Sequence, residues 1–258
     1  NVNADSAAST CGVYQIAQSL ADIDEGADLI MDCIAEEMSQ KVVLFQQLPK
    51  AIQRECIFIT TTSGLSITQL GKESGTGHLL AGTHFWNPPH LMPLVEVVRG
   101  QDTPEHVMDR VAEVITSIGK IPVRVNRDVP GFIGNRLLHA LWREAIYLVQ
   151  EGIASPEDVD LVARLTFGLR APAVGPLENM DLVGLDLIET IHQYLLADLS
   201  KETEPLRDLQ ERIEQGRLGM KSGMGFYDWN TRDGEALIER RDLQIVRQLA
   251  FLKELDKT

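Results

Sequence analysis

A histidine and a glutamate lie twelve residues apart in the segment THFWNPPHLMPLVEVV, with His84 before an Asn-Pro-Pro turn and Glu96 in the apolar run after it. The turn can fold Glu96 back beside His84. Oxidation of a secondary alcohol removes a hydroxyl proton as well as a hydride, and a neutral imidazole is a suitable acceptor for that proton. A carboxylate on the other ring nitrogen would fix the tautomer. The pair can therefore serve as a general base, although spacing alone favours a structural histidine.

The elements that must position this pair alternate between short apolar runs and helical patterns. Strands are predicted at 28–34, 56–60, 79–85, 94–98 and 121–125. Helices are predicted through Lys41 and Leu48, after Ser66, and from Thr103, where a capping hydroxyl precedes a proline at the first helical position. Strands that alternate with helices predict a parallel α/β domain that closes near residue 125.

After residue 128 the pattern changes to long helices without strands. An apolar stripe from Leu137 to Val149 ends at Gly152, and Ser155 then caps a further helix. Three more helical segments are predicted at 184–198, 204–215 and 235–255. The sequence therefore predicts two domains, an α/β domain over 1–127 and an all-α domain over 128–258.

Composition excludes several classes of function. The net charge of -14 over 258 residues argues against nucleic acid as a partner, because such binding depends on clustered Lys and Arg. No apolar run approaches the ~18 residues of a membrane span, and no signal peptide precedes the first element. Cys11, Cys33 and Cys56 are widely spaced, which favours buried thiols in a reducing compartment over disulfides or a metal site. A cytoplasmic protein without metal is expected.

Five separated blocks occur in an order and spacing that are typical of one enzyme family. They are ADLIMDCIAEE (27–37), ITTTSGLSIT (59–68), HFWNPPHLMPLVEVV (84–98), VPGFIGNRLL (129–138) and GRLGMKSGMGFYDW (216–229). Each block alone is weak evidence. Together they indicate that the sequence, from Val13 onward, resembles the L-3-hydroxyacyl-CoA dehydrogenase family.

This resemblance implies a fold, a reaction and partners. The fold is α/β, with a partial Rossmann-type parallel sheet domain that binds NAD, followed by an all-α C-terminal domain for substrate binding and dimerisation. The reaction is NAD-dependent oxidation of the 3-hydroxyl of an L-3-hydroxyacyl-CoA, or of a related free 3-hydroxy acid, to the 3-keto product. The partners are a small-molecule substrate and a second copy of the chain, and the setting is fatty acid metabolism.

The resemblance also implies residue roles. His84 matches the family's catalytic base and Glu96 its orienting partner. Four further positions match contacts to bound molecules: Ser63 and Asn135 to the substrate, Glu36 and Lys41 to the nicotinamide end of NAD. The structural alternatives are a loop cap and a helix cap for the first two, and an exposed helix-start glutamate and a surface lysine for the others.

The substrate branch stays open between two classes. Pro93 stands where acyl-CoA members typically have a lysine, and Arg170 precedes a Gly-Pro as in the lambda-crystallin (L-gulonate 3-dehydrogenase) branch. An arginine fork can bind a carboxylate with two hydrogen bonds, which favours a free 3-hydroxy acid. The segments MDLVGLD and GRLGMKSGMGFYDW are closer to the acyl-CoA enzymes, and Arg170 also fits a surface ion pair.

The family's G-x-G-x-x-G motif, which places the pyrophosphate of NAD at a helix N-terminus, does not occur in this sequence. The resemblance implies that the first strand, the first helix and the second strand of the domain are lacking, as in a truncated gene, a processed product or part of a longer protein. A non-catalytic protein of the crystallin type, or a degenerate binding protein, is therefore the alternative to an enzyme. A lyase or isomerase that uses only the His-Glu pair is a third possibility.

Overall fold

The computed structural model describes residues 16–23, 26–48 and 56–255, in two compact units that span 1–133 and 134–258. We call them the sheet unit and the helical unit. The domain boundary near 127 stays a prediction. In the structure the segment 128–133 is bonded to the sheet unit, since Asp128 accepts from the hydroxyl of Ser66 at 2.6 Å and Ile133 donates to Glu96 at 2.9 Å.

The described sheet has five strands in chain order, all close to predicted positions: β1 (Leu29–Asp32), β2 (Ile57–Thr61), β3 (Leu80–Phe85), β4 (Leu94–Arg99) and β5 (Ile121–Val125). Three pairings are parallel, but β3 and β4 run antiparallel. The predicted parallel α/β sheet is confirmed in its three parallel pairings, and the β3–β4 pair is an antiparallel exception. The connection from residue 86 to 93 is too short for the crossover that parallel strands need.

Both faces of the sheet are buried. Successive side chains of a strand point to opposite faces, so Phe58 lies in one apolar cluster and Ile59 in the other. The cluster around Phe58 includes residues of two helices, α1 (Met38–Gln47) and α2 (Ile67–Ser74). The cluster around Ile59 includes residues of a third, α3 (Glu105–Ser117). This layering is the predicted α/β arrangement.

The start of α3 differs from the sequence-based expectation. Thr103 is not the capping residue, because Pro104 occupies the N-cap position and no side chain caps this end. The hydroxyl of Thr103 instead donates to the carbonyl of Leu80 at 2.6 Å and accepts from the N–H of Gly100 at 3.0 Å. The threonine therefore fastens the end of β4 to β3 rather than the helix.

One close approach locks α2 onto the sheet. A Cβ atom on Gly82, in β3, would lie 2.3 Å from Cδ1 of Ile67, the first residue of α2. Ile67 is 1% exposed, so its side chain has no free space into which to move. The helix that follows the Ser63 turn is thus held directly over β3, the strand that contains His84.

The helical unit contains the predicted helices and two more over 167–183. They are α4 (Gly134–Gln150), α5 (Pro156–Leu165), α6 (Phe167–Arg170), α7 (Pro176–Val183), α8 (Leu185–Asp198), α9 (Arg207–Glu214) and α10 (Gly234–Leu255). Ser155 caps α5 as predicted, since its hydroxyl accepts from the N–H of Asp158. Helices α4 to α9 carry no fully buried residue, and many of their large apolar side chains are exposed.

The cysteines differ in environment. Cys56 is buried as predicted, and its pKa is raised, chiefly by burial and also by the charge of Asp28. Cys33 is exposed, so its predicted burial is wrong; it follows the last residue of β1 and lies beyond the sheet. Cys11 lies outside the described residues.

Over the described ranges, no helix combines the length and apolar character that a bilayer crossing requires.

Replacement of Gly82 by alanine is expected to lower the free energy of unfolding by about 1–3 kcal/mol, because the added methyl group overpacks the contact with Ile67. Gly64→Ala is the matched control, since a Cβ at Gly64 meets nothing within 4 Å. Urea denaturation of both variants measures the difference. Equal stabilities of the two variants would show that α2 is not locked at Gly82.

Candidate active site

The antiparallel pairing of β3 and β4 places His84 directly opposite Glu96 in the sheet register. Directly opposite residues share a face of the sheet. The Nδ1 atom of His84 lies 2.7 Å from Oε2 of Glu96, and the two residues are only 6% and 2% exposed. The turn therefore folds Glu96 back beside His84, as the sequence indicated.

Glu96 uses both of its oxygens. Oε2 is bonded to the imidazole, while Oε1 accepts the backbone N–H of Ile133 at 2.9 Å. An ionised carboxylate can only accept hydrogen bonds, so Nδ1 of His84 must be the donor. The lone pair of the neutral ring then belongs to Nε2. This arrangement can present Nε2 as a proton acceptor with a fixed ring orientation.

Two aromatic rings flank the imidazole of His84. The ring of Trp86 lies 4.9 Å from it and that of Phe132 lies 5.9 Å from it, centroid to centroid. Phe132 is buried and has a φ of +50°, directly after Gly131 with a φ of +75°. Phe132 is not among the residues that the sequence singled out. The consecutive Pro-Gly before it was the available signal of an unusual backbone.

A second polar cluster lies at the carboxyl ends of β1 and β2. Oε1 of Glu36 accepts from the hydroxyl of Thr62 at 2.6 Å and from the backbone N–H of Ser63 at 2.7 Å. The N–H of Thr62 donates to the carbonyl of Thr83, next to His84, at 3.1 Å. The structure thus brings Glu36 and Ser63 together and bonds their turn to the strand of His84.

Lys41 lies behind this cluster and is fully buried. Its ammonium group is bonded to the carboxylate of Asp32 and to the carbonyl of Thr61 at 2.9 Å. A buried ammonium needs such partners, because the loss of hydration is otherwise too costly. The alternative of a surface lysine is therefore wrong, and the ion pair ties α1 to the ends of β1 and β2.

Asn135 and Arg170 belong to the helical unit. Asn135 is half-buried near the start of α4, and Arg170 is exposed at the end of α6. Ser63 and Glu36 in the sheet unit are both exposed as well.

Among the described residues, no group of three His, Cys, Asp or Glu side chains is arranged to hold a metal ion.

The carboxyl edge of β1 and β2 fits the nicotinamide end of NAD. Open α/β sheets bind ligands outside the carboxyl ends of their parallel strands. Glu36 presents an exposed carboxylate there, which can accept a hydrogen bond from a carboxamide. Buried Oδ2 of Asp32 has no hydrogen-bond partner in the described part of the chain, so this edge also retains unused acceptor capacity.

Family models match both units. Residues 1–129 match the NAD binding domain of 3-hydroxyacyl-CoA dehydrogenase, and residues 131–229 match the C-terminal domain of the same enzyme. Among curated proteins, the probable 3-hydroxybutyryl-CoA dehydrogenase of Bacillus subtilis is 38% identical over 218 residues, which are 84% of this chain and 74% of that protein.

A second relative is named for a different substrate. The 5-formyl-3-hydroxy-2-methylpyridine 4-carboxylate 5-dehydrogenase of Mesorhizobium japonicum is 33% identical over 235 residues, or 91% of this chain and 76% of that protein. A crystal structure of a dehydrogenase for this pyridine acid, described as an NAD+ dependent dismutase, has a TM-score of 0.86. It is 32% identical to this chain, and the match covers 92% of this chain and 77% of that one.

Removal of the Glu96 carboxylate is expected to destabilise the sheet unit. In Glu96→Ala, the N–H of Ile133 and Nδ1 of His84 both lose their acceptor, and the loss at the buried imidazole alone should cost about 1–3 kcal/mol. The control is Glu113→Ala, which removes an exposed ion pair with Arg110 and should change stability by less than about 0.5 kcal/mol. Urea denaturation compares them, and equal losses would contradict a buried, doubly bonded carboxylate.

Proposed function

The chain belongs to the 3-hydroxyacyl-CoA dehydrogenase family of NAD-dependent oxidoreductases that act on CH–OH groups, and from this premise we propose that it oxidises a 3-hydroxyl group with His84 as general base. The buried, in-register bond between His84 and Glu96 carries the proposal. A structural histidine needs only one hydrogen bond. Here the partner carboxylate is itself held by a second donor, which supports a role in orientation.

In the proposed reaction, Nε2 of His84 accepts the proton of the substrate hydroxyl while the hydride leaves C3. Bound NAD supplies the hydride acceptor. Glu96 keeps the ring in the tautomer that leaves Nε2 free, and its charge stabilises the imidazolium that forms. Trp86 and Phe132 restrict rotation of the imidazole and limit the access of water to it.

The other site residues receive the roles that the resemblance implies. Ser63 and Asn135 each keep the role of a substrate contact, and neutral donors of this kind can stabilise developing charge without a metal. Glu36 contacts the nicotinamide end of NAD through the carboxyl edge of β1 and β2. Lys41 stays a prediction as a cofactor contact. Its buried ammonium supports a role in holding the strand ends beneath that site.

The substrate class is a CoA thioester or a free hydroxy acid. Relatives named 3-hydroxybutyryl-CoA dehydrogenase support the thioester. The exposed guanidinium of Arg170 and the pyridine carboxylate named for the Mesorhizobium relative support an acid whose carboxylate binds to arginine. Both classes use the same base, because the proton and the hydride leave the same CH–OH group.

We further propose a homodimer that forms through the helical unit. Leu169, Leu182 and Leu185 are 71%, 78% and 60% exposed, and many other large apolar residues of α4 to α8 are also exposed. Extended apolar surface of this kind is typical of association sites. A second copy of the chain, related by twofold symmetry, is the partner that the resemblance implies. The cytoplasmic location stays a prediction.

The role of His84 is tested by its replacement. His84→Ala should lower kcat by about 100-fold to 10,000-fold with acetoacetyl-CoA or a free 3-hydroxy acid, the range that a positioned general base contributes. His106→Ala, on the exposed first turn of α3, is the control and should keep wild-type rates. NADH absorbance measures both. Equal rates in His84→Ala and His106→Ala would show that His84 is not the general base. Absence of turnover in the wild type would favour the non-catalytic alternative.

The substrate class is tested by Arg170→Ala. If Arg170 binds a free carboxylate with two charge-assisted hydrogen bonds, its loss should raise KM for free 3-hydroxy acids by about 10-fold or more. Turnover of CoA thioesters should be retained. The exposed Arg164→Ala is the control, since this residue bonds to a carbonyl of its own helix. Unchanged kinetics of Arg170→Ala with free acids would show that Arg170 does not bind the substrate carboxylate.

A further inference from the structure

The carboxylate of Glu36 reaches from the segment after β1 to the turn after β2. It is 26 and 27 positions away from its two donors, Thr62 and Ser63, and both bonds end on the same oxygen, Oε1. Hydrogen bonds to an ionised acceptor are stronger than those between neutral groups. A single carboxylate oxygen therefore links the segment after β1 to the turn after β2 through two hydrogen bonds.

Thr62 extends this anchor along the turn. Its Oγ1 donates to Glu36 and accepts from the backbone N–H of Leu65 at 2.8 Å, so one hydroxyl links the two sides of the turn. Its own N–H is bonded to the carbonyl of Thr83, the residue before His84. The Ser63 turn is therefore bonded to the strand of His84 through the N–H of Thr62, and to the segment after β1 through Glu36.

The second oxygen of Glu36 is available for another partner. Oε2 receives no hydrogen bond from any residue that the structure describes, and the side chain is exposed at the carboxyl edge of the sheet. The two oxygens can thus serve different purposes, because Oε1 faces the turn and Oε2 is left for solvent or a bound molecule. A cofactor contact alone would not require the bonds to Thr62 and Ser63.

We propose that Glu36 is a positioning residue for Ser63: it holds the turn so that the serine hydroxyl meets the reacting oxygen above His84. This inference rests on the proposed function, in which Ser63 binds the substrate. The carboxylate of Glu36 then has two roles, contact with the cofactor and positioning of the serine. Loss of the carboxylate displaces the serine even when the serine itself is intact.

A double-mutant cycle at saturating NAD separates the two tasks. Glu36→Ala should lower kcat by about 10-fold to 100-fold, because small displacements of a reacting group have effects of this size. In a Ser63→Ala background the same change should lower kcat by less than about twofold, since the group that it positions is gone. Glu36→Gln should recover most of the loss, because its amide oxygen can accept both bonds. Equal factors in the two backgrounds would overturn the inference.

Amide hydrogen exchange of the unliganded protein gives a readout that needs no turnover. In Glu36→Ala, exchange at Ser63 and Leu65 should be at least about 10-fold faster, and Glu36→Gln should restore protection. The matched control is Glu37→Ala, whose carboxylate is bonded to two residues at the start of α1 and whose removal should leave the turn unchanged.

Unchanged exchange in Glu36→Ala would overturn the inference whether or not the enzyme is active. A wild type that protects the turn but lacks turnover would instead contradict the proposed function. The two failures are therefore distinguishable, since the first is seen in the hydrogen exchange of Glu36→Ala and the second in the turnover of the wild type.

Discussion

The buried hydrogen bond between His84 and Glu96 is the interaction on which the rest of the site depends. It exists because β3 and β4 pair antiparallel in a register that sets the two residues opposite each other. A shift of one of these strands by one residue would put the two side chains on opposite faces of the sheet. The same carboxylate also accepts the N–H of Ile133, so it bonds β4 to the last residue of the sheet unit.

The surrounding structure keeps this geometry rigid. The sheet is covered on both faces, α2 is locked over β3 at Gly82, and the Ser63 turn is bonded to β3 through Thr62. The contact at Gly82 fixes the middle of β3, and the bond from Thr62 fixes the segment beside His84. The candidate site therefore rests on a sheet that is held at more than one point.

Much of this could be predicted from the sequence, because the hydrophobic period marks strands and helices and the Asn-Pro-Pro turn limits where Glu96 can lie. Contacts between residues distant in sequence could not. The burial of Lys41 depends on Asp32, the anchoring role of Glu36 depends on a turn 26 residues away, and Phe132 reaches His84 only through an unusual backbone. The antiparallel strand pair was also missed, because an alternating pattern does not specify strand direction.

The central claim is that Glu96 fixes His84 in the tautomer with a proton on Nδ1 and a free Nε2. Nitrogen-15 NMR of the histidine side chains at neutral pH distinguishes the two ring nitrogens of a neutral imidazole. The account predicts that Nδ1 of His84 is protonated and Nε2 is not, and that this preference is lost in Glu96→Ala. A wild-type ring with its proton on Nε2 would contradict the account, because that nitrogen could not then accept a proton from the substrate.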